Sequence, residues 1–274
     1  MGAERLRQLF VTARSEGRTA FLPFMTAGLP TPAESPTLFA AMAEAGADAF
    51  EVGIPYSDPL MDGPIIQRGS DTALAAGSTL DRSLEVLAEV ASTTGKPVLA
   101  MTYANPVFRR GVDGFCARLA AAGSDGIIVP DLPVEESLSL RQAAERHGIG
   151  TVLFVAPTSS PDRIRAVADA NPVFIYAVAE MGVTGERTES SGNAAAVVQR
   201  IRAVTDIPIV FGVGISTPEQ AAAAGAAGAD GVIVGSALVR LVLESATPEA
   251  AATALAERVS AIRDALGRGT LSGV

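Results

Sequence analysis

The chain has 274 residues, 48% hydrophobic and 19% charged, which is enough apolar material for one large buried core and argues against disorder. A formal net charge of -9 offers no basic stripe to a nucleic acid, although backbone amides can still hold a phosphate-bearing metabolite. Cys116 is the sole cysteine, which excludes an intramolecular disulfide or a thiolate metal cluster, and its helix-like apolar surroundings suit a buried, inert thiol.

No apolar run reaches the length of a membrane span and the start lacks a secretory pattern, so a soluble, cytoplasmic protein is expected. In chain order, short apolar runs predict strands over 20–25, 48–53, 97–102, 125–129, 150–155, 173–178, 207–211 and 230–234. Amphipathic segments between them predict helices near 33–46, 79–94, 112–123, 134–147, 161–170, 192–204 and 217–227. A short helix over 236–244 and a last one from 247 to 267 follow. Strands alternating with helices imply βαβ units and a parallel sheet. Eight units in this length match an α/β (β/α)8 TIM barrel with extra short helices, and no linker divides it, so residues 1–274 read as one domain.

An internal repeat supports the barrel. Ala45-Gly46-Ala47-Asp48-Ala49-Phe50-Glu51 aligns with Ala122-Gly123-Ser124-Asp125-Gly126-Ile127-Ile128, and again with Ala227-Gly228-Ala229-Asp230-Gly231-Val232-Ile233. Each copy reads as a helix-ending glycine, a tight turn and a buried strand. Thr31-Pro32, Ser160-Pro161 and Thr217-Pro218 each predict a helix start with the hydroxyl as cap and proline in the first turn.

The repeat makes Glu51 a misfit, because the aligned positions hold Ile128 and Ile233. A carboxylate in the last turn of a buried strand is desolvated, which raises its pKa toward the range of a general acid/base. In this fold the C-terminal strand ends carry the active site. The alternative is a structural carboxylate paired with an arginine, but none of the candidate strands carries one. The loop that follows, with Asp58 and Asp62 among three prolines, reads as a semi-rigid active-site loop. Either aspartate could be only a turn former, and a metal there lacks histidine ligands.

Glycine loops follow the last two strands, Gly212-Val213-Gly214 and Gly235-Ser236, where barrels often seat a phosphate against a short extra helix. The long polar loop after the sixth strand has the features of a lid, with Gly182 and Gly185 as hinges and Thr184 as a polar contact. Tyr176, just upstream, suits either the pocket or ordinary core packing. The only lysine, Lys96, and the only histidine, His147, both precede strands and so belong at the opposite end. That excludes a Schiff-base aldolase and removes the parts of a metal aldolase or a histidine-based isomerase. Carboxylates, with a tyrosine, remain.

The run from Phe50 through Pro64 closely resembles the tryptophan synthase alpha subunit, the indole-3-glycerol-phosphate lyase family. The likeness continues at Pro23-Phe24-Met25-Thr26-Ala27-Gly28, Thr102-Tyr103-Ala104-Asn105-Pro106, Pro130-Asp131-Leu132-Pro133, Gly182-Val183-Thr184-Gly185 and Gly235-Ser236-Ala237. The resemblance implies retro-aldol cleavage of indole-3-glycerol phosphate to indole and glyceraldehyde 3-phosphate, within tryptophan biosynthesis. It implies Glu51 for the proton transfers, Asp62 on the indole N–H, and Tyr176 as the active-site tyrosine. Gly185, Gly214, Gly235 and Ser236 fall at phosphate positions, and Phe24, Ile66 and Ile128 at the indole pocket. It also implies an alpha2beta2 complex with a beta subunit, with Pro55, Asp58 and Asn105 at the interface. PLP would sit in the beta partner, and this chain would need no cofactor and no metal. Ala179-Glu180-Met181 departs from the serine, often with arginine, of many members. The alternatives are a stand-alone indole-releasing paralogue and a weakly catalytic subunit that mainly activates its partner.

Overall fold

Eight apolar runs form the eight strands of a closed barrel in a computed structural model that describes residues 2–178 and 189–267. They are β1 (Ala20–Thr26), β2 (Phe50–Gly53), β3 (Val98–Met101), β4 (Gly126–Ile128), β5 (Gly150–Val155), β6 (Phe174–Ala177), β7 (Ile209–Phe211) and β8 (Gly231–Val234). Each pairs in parallel with the next, and β8 closes on β1 through Ala20 opposite Gly231 and Leu22 opposite Ile233. Buried on both faces, the strands carry near-continuous apolar residues rather than an alternating pattern.

The helices in chain order are α1 (Gly2–Ser15), α2 (Ser35–Glu44), α3 (Pro64–Ala75), α4 (Leu80–Thr94), α5 (Ala104–Arg110) and α6 (Val112–Ala121). They continue as α7 (Leu138–Arg146), α8 (Pro161–Asp169), α9 (Glu189–Arg202), α10 (Pro218–Ala226), α11 (Ser236–Glu244) and α12 (Pro248–Gly267). Every predicted strand is present, most of them a residue or two shorter. Three helices went unpredicted. Both α3 and α5 sit inside what reads as loop, since Gly69 and Ser70 weaken one pattern and Pro106 lies in the first turn of the other. The third, α1, precedes the first strand and so has no place in a strand–helix alternation.

Two boundaries differ for visible reasons. The Thr31-Pro32 start is a turn ahead of the helix: the Thr31 carbonyl accepts the N–H groups of Glu34 and Ser35, and α2 begins only at Ser35, with Pro36 in its first turn. The segment 134–147 divides into a single 3-10 turn, Val134–Glu136, and α7. The other two starts hold. Ser160 caps α8, and Thr217 caps α10 in a reciprocal capping box with Gln220.

The repeat has a structural meaning at the N-terminal mouth. Gly46, Gly123 and Gly228 all have positive φ, as helix-ending glycines require. The aspartate two residues later extends the strand ladder with its side chain. Asp48 accepts the Phe21 N–H at 2.8 Å, Asp125 that of Val98 at 2.9 Å, and Asp230 that of Ile209 at 2.8 Å. Each also meets arginine: Arg18 on Asp48 at 2.8 Å, Arg5 on Asp125 at 3.0 Å, and both Arg14 (2.7 Å) and Arg202 on Asp230. Arg5 and Arg14 belong to α1, whose Leu6, Phe10 and Ala13 are buried. A Cβ on Gly126 would lie 2.9 Å from Leu6 and one on Gly231 3.0 Å from Phe10, so the glycines of the second and third copies make room for this helix. Phe10 meets Phe174 edge to face at 5.7 Å.

Lys96 and His147 lie at this same end, as their positions before β3 and β5 require, and His147 Nε2 sits 3.2 Å from Asp113. Cys116 is buried, and burial pushes its thiol up to about 11. Among the described residues no helix is long and apolar enough to cross a membrane.

Candidate active site

The C-terminal mouth is built differently. Glu51 sits in the middle of β2, opposite Phe24 of β1 and Leu99 of β3, and only 4% of it is exposed. Its Oε2 is buried without a hydrogen-bond partner, and no arginine forms an ion pair with it among the described residues. Among those residues the structural-pair alternative finds no support. Burial first, and the negative field of Asp62 second, push its carboxyl up to about 8.

Asp62 reaches the same place from the loop after β2. It is partly buried, and burial raises its pKa while a hydrogen bond from Tyr103 opposes the rise. Its carbonyl accepts Gln67 Nε2 at 2.8 Å from the second turn of α3. Tyr176, on β6, is pushed well above the ordinary range of a phenol by burial and then by Glu51 and Asp62, whose fields it shares. It is stacked on Phe154 of β5, ring centroids 4.9 Å apart. A Cβ on Gly212 would fall 1.8 Å from the Tyr176 hydroxyl, so that glycine is what lets the phenol occupy its place.

Of the three residues expected around an indole, Phe24 packs between two glycines. A Cβ on Gly53 would meet its ring at 2.6 Å, and one on Gly235 at 3.2 Å. Ile128 is fully buried at the end of β4, opposite Met101. Ile66 is half-buried in the first turn of α3. Glu51, Asp62, Tyr176, Phe24 and Gly235 are thus brought to one mouth of the barrel.

The two predicted anion loops are not equivalent. The start of α10 already has Thr217 on its first-turn amides, and Gly214 stands in the preceding turn at φ +80°. The start of α11 has no side-chain cap, and its exposed Ser236 leaves first-turn N–H groups that no carbonyl within the helix can satisfy. An anion finds open donors at α11. Thr184, Gly185 and the hinge Gly182 lie outside the described residues, as does Ala179-Glu180-Met181.

The three residues placed at a partner surface divide. Pro55 is buried within the chain itself, whereas Asp58 and Asn105 are exposed. Asn105 donates to the Tyr56 hydroxyl at 2.7 Å, and Asp58 accepts from the Ser57 hydroxyl at 2.6 Å. Around them Leu60, Met61 and Phe108 expose large apolar side chains.

Tyr103 went unassigned in the sequence. It lies two residues past the end of β3, buried, stacked on Tyr56 with centroids 5.5 Å apart, and its hydroxyl accepts the Met61 N–H at 3.3 Å. Its position at a C-terminal strand end was the available signal. Phe154 was missed too. It also lines a cavity of about 480 Å³ with Ala156, Thr158, Ser159, Ser160 and Arg163, none of which belongs to the carboxylate cluster. Among the described residues no group of three or more His, Cys, Asp or Glu is placed to hold a metal ion.

Comparison with known proteins decides the family. The tryptophan synthase alpha chain model matches residues 10–266. The chain belongs to that family. It is 44% identical to the tryptophan synthase alpha chain of Streptomyces avermitilis, over 98% of this chain and 95% of the relative. The alpha chain of Synechococcus elongatus is 47% identical over 86% and 88%. Among solved structures, tryptophan synthase of Mycobacterium tuberculosis superposes with a TM-score of 0.86 at 39% identity, covering 97% of this chain and 99% of that one. The alpha subunit from Legionella pneumophila strain Paris gives 0.85 at 32% identity, over 96% and 98%. The family's alpha-chain fold thus extends over nearly the whole chain.

Proposed function

We propose that the chain is the alpha subunit of a tryptophan synthase and cleaves indole-3-glycerol phosphate to indole and glyceraldehyde 3-phosphate. The observation that carries this reading is Glu51, whose Oε2 is buried without a partner among the described residues and whose carboxyl is pushed up to about 8, beside a second carboxylate.

At neutral pH Glu51 is protonated and able to donate. Its proton passes to C3 of the indole ring, giving an indolenine whose positive charge is shared by the ring nitrogen. Asp62, as carboxylate, accepts a hydrogen bond from that N–H and stabilises the charge as it forms. The hydroxyl on the side-chain carbon bound to C3 then loses its proton to the Glu51 carboxylate. As the aldehyde C=O forms, the bond between that carbon and C3 breaks and its electron pair returns to the ring. One proton is given and one is taken back, so Glu51 ends as it began. The ring itself is the electron sink, and no Schiff base or metal enters the scheme. Tyr176 walls the site, Phe24 and Ile128 suit the indole, and the open start of α11 suits the phosphate.

The exposed apolar residues Leu60, Met61 and Phe108, beside Asp58 and Asn105, support docking of a beta subunit on the loop after β2 and on α5. PLP would reside in that partner, and an alpha2beta2 assembly is the expected form. The test is indole release by the purified chain, alone and with a beta subunit. Slow release that accelerates on adding beta is expected. Rapid turnover that ignores beta would instead make it a stand-alone lyase.

A further inference from the structure

We infer that Gln220 is a positioning residue for the substrate's phosphate, holding the loop after β7 so that the backbone around Gly214 is set for the anion before it arrives. The inference rests on the proposed reading of the substrate as a phosphate ester, bound between this loop and the start of α11.

One amide side chain does most of the tying. Gln220 lies in the first turn of α10 and is buried. Its Oε1 accepts the Ser216 N–H at 2.8 Å, the Ser216 hydroxyl at 2.9 Å and the Thr217 N–H at 3.1 Å. Its own N–H donates to Thr217 Oγ1 at 3.3 Å. The remaining polar group of Ser216, its carbonyl, accepts from Arg258 of α12 at 3.0 Å. Every hydrogen-bonding group of Ser216 is therefore taken, two of them by one oxygen. Ile215 beside it is buried, so an apolar side chain anchors the loop as well.

The other end of the loop is fixed by the reaction site. Gly212 passes so close to Tyr176 that a Cβ there would fall 1.8 Å from the phenol oxygen. Between the two fixed ends only Val213 and Gly214 are exposed. Their N–H groups meet no acceptor among the described residues, and Gly214 holds a left-handed φ of +80°, which glycine adopts at little cost. The clamp also decides where an anion does not go. Ahead of α10 the Gln220 oxygen already occupies donors that would attract one, whereas the loop after the adjacent β8 leads into the uncapped α11. The phosphate is left with Gly214 on one loop and Ser236 on the other. A loop already held loses little freedom on binding, so the tie acts on phosphate affinity rather than on the proton transfers.

The test is Gln220→Leu, which keeps most of the buried volume and removes the acceptor. By calorimetry, glycerol 3-phosphate should bind about tenfold more weakly than to the wild-type chain, while indole binds within about twofold. Turnover should show the same split, with KM for indole-3-glycerol phosphate raised about tenfold and kcat within about threefold. Should that variant not fold, Arg258→Met, which frees only the Ser216 carbonyl, takes its place and should weaken glycerol 3-phosphate by about threefold. An unchanged glycerol 3-phosphate affinity overturns the inference. So does an equal weakening of glycerol 3-phosphate and indole, the mark of a helix cap that only stabilises the fold. If the wild-type chain binds no glycerol 3-phosphate, the phosphate reading itself fails and takes the inference with it; wild-type binding that survives the substitution sinks the inference alone.

Discussion

Two carboxylates three residues apart, Asp48 just ahead of β2 and Glu51 within it, have opposite surroundings. Asp48 holds a backbone N–H and the guanidinium of Arg18, both 2.8 Å away. Glu51 holds nothing with its buried Oε2 and has Asp62 for a neighbour. The same contrast runs round the barrel. At the N-terminal mouth Asp48, Asp125 and Asp230 are each paired with arginine, and at the C-terminal mouth Glu51 and Asp62 have no cationic partner among the described residues. A buried carboxylate with a full set of partners locks strands together. One without partners keeps a proton that it can give away. The fold places stability at one end and chemistry at the other.

The largest expected effect tests the chemical end. Glu51→Gln should lower indole release by about 10³- to 10⁴-fold while the barrel stays folded; retention of full activity would refute the mechanism. In the wild type, activity should fall as pH rises through about 8, because the donor is then ionised. Stability should follow the same group. Its folded pKa lies above its unfolded value, so its contribution is complete below about 4.5 and is lost as pH rises through about 8. Relative to the wild type, the Gln variant should therefore gain on the order of a few kcal/mol between those limits, read by urea unfolding at several pH values.

Asp48→Ala tests the other end. It leaves the Phe21 N–H without its acceptor and Arg18 with Glu16 alone in a largely buried setting, and should cost about 3 kcal/mol in urea unfolding with kcat of the folded fraction changed less than about twofold. If kcat falls as far as stability does, the separation of the two mouths is wrong. Gly212→Ala puts a methyl group into the Tyr176 hydroxyl, where the ring has little room to retreat from Phe154 and Phe174. A loss of about 1–2 kcal/mol and about tenfold in kcat is expected, checked by thermal unfolding and steady-state assay. The smallest effect belongs to Asp81, an exposed surface partner of Arg118. Asp81→Ala should leave both the unfolding midpoint and kcat unchanged within error, showing that an ion pair contributes here only where it is buried.

Much of this arrangement is readable without coordinates. Strand–helix alternation and the glycines of the repeat point to the barrel, and the repeat isolates Glu51 by contrast with two isoleucines. The aspartates in the same repeat pass unnoticed, because an Asp after Gly-x reads equally well as a turn residue until the arginines arrive. Those arginines come from α1, from the turn after it in the case of Arg18, and from the far end of α9, as much as 216 residues away in the case of Arg14 and Asp230. Tyr103 is hidden for the same reason: Met61, whose N–H its hydroxyl accepts, is 42 positions distant, on the loop after another strand.

By itself the sequence determined which element each segment forms, through local periodicity and turn chemistry, and which family the chain resembles, through motifs of contiguous residues. Only the tertiary structure decided which carboxylates are paired. Desolvation, ion pairing and the fit of Gly212 against Tyr176 depend on distances between segments, and a linear string does not carry those distances.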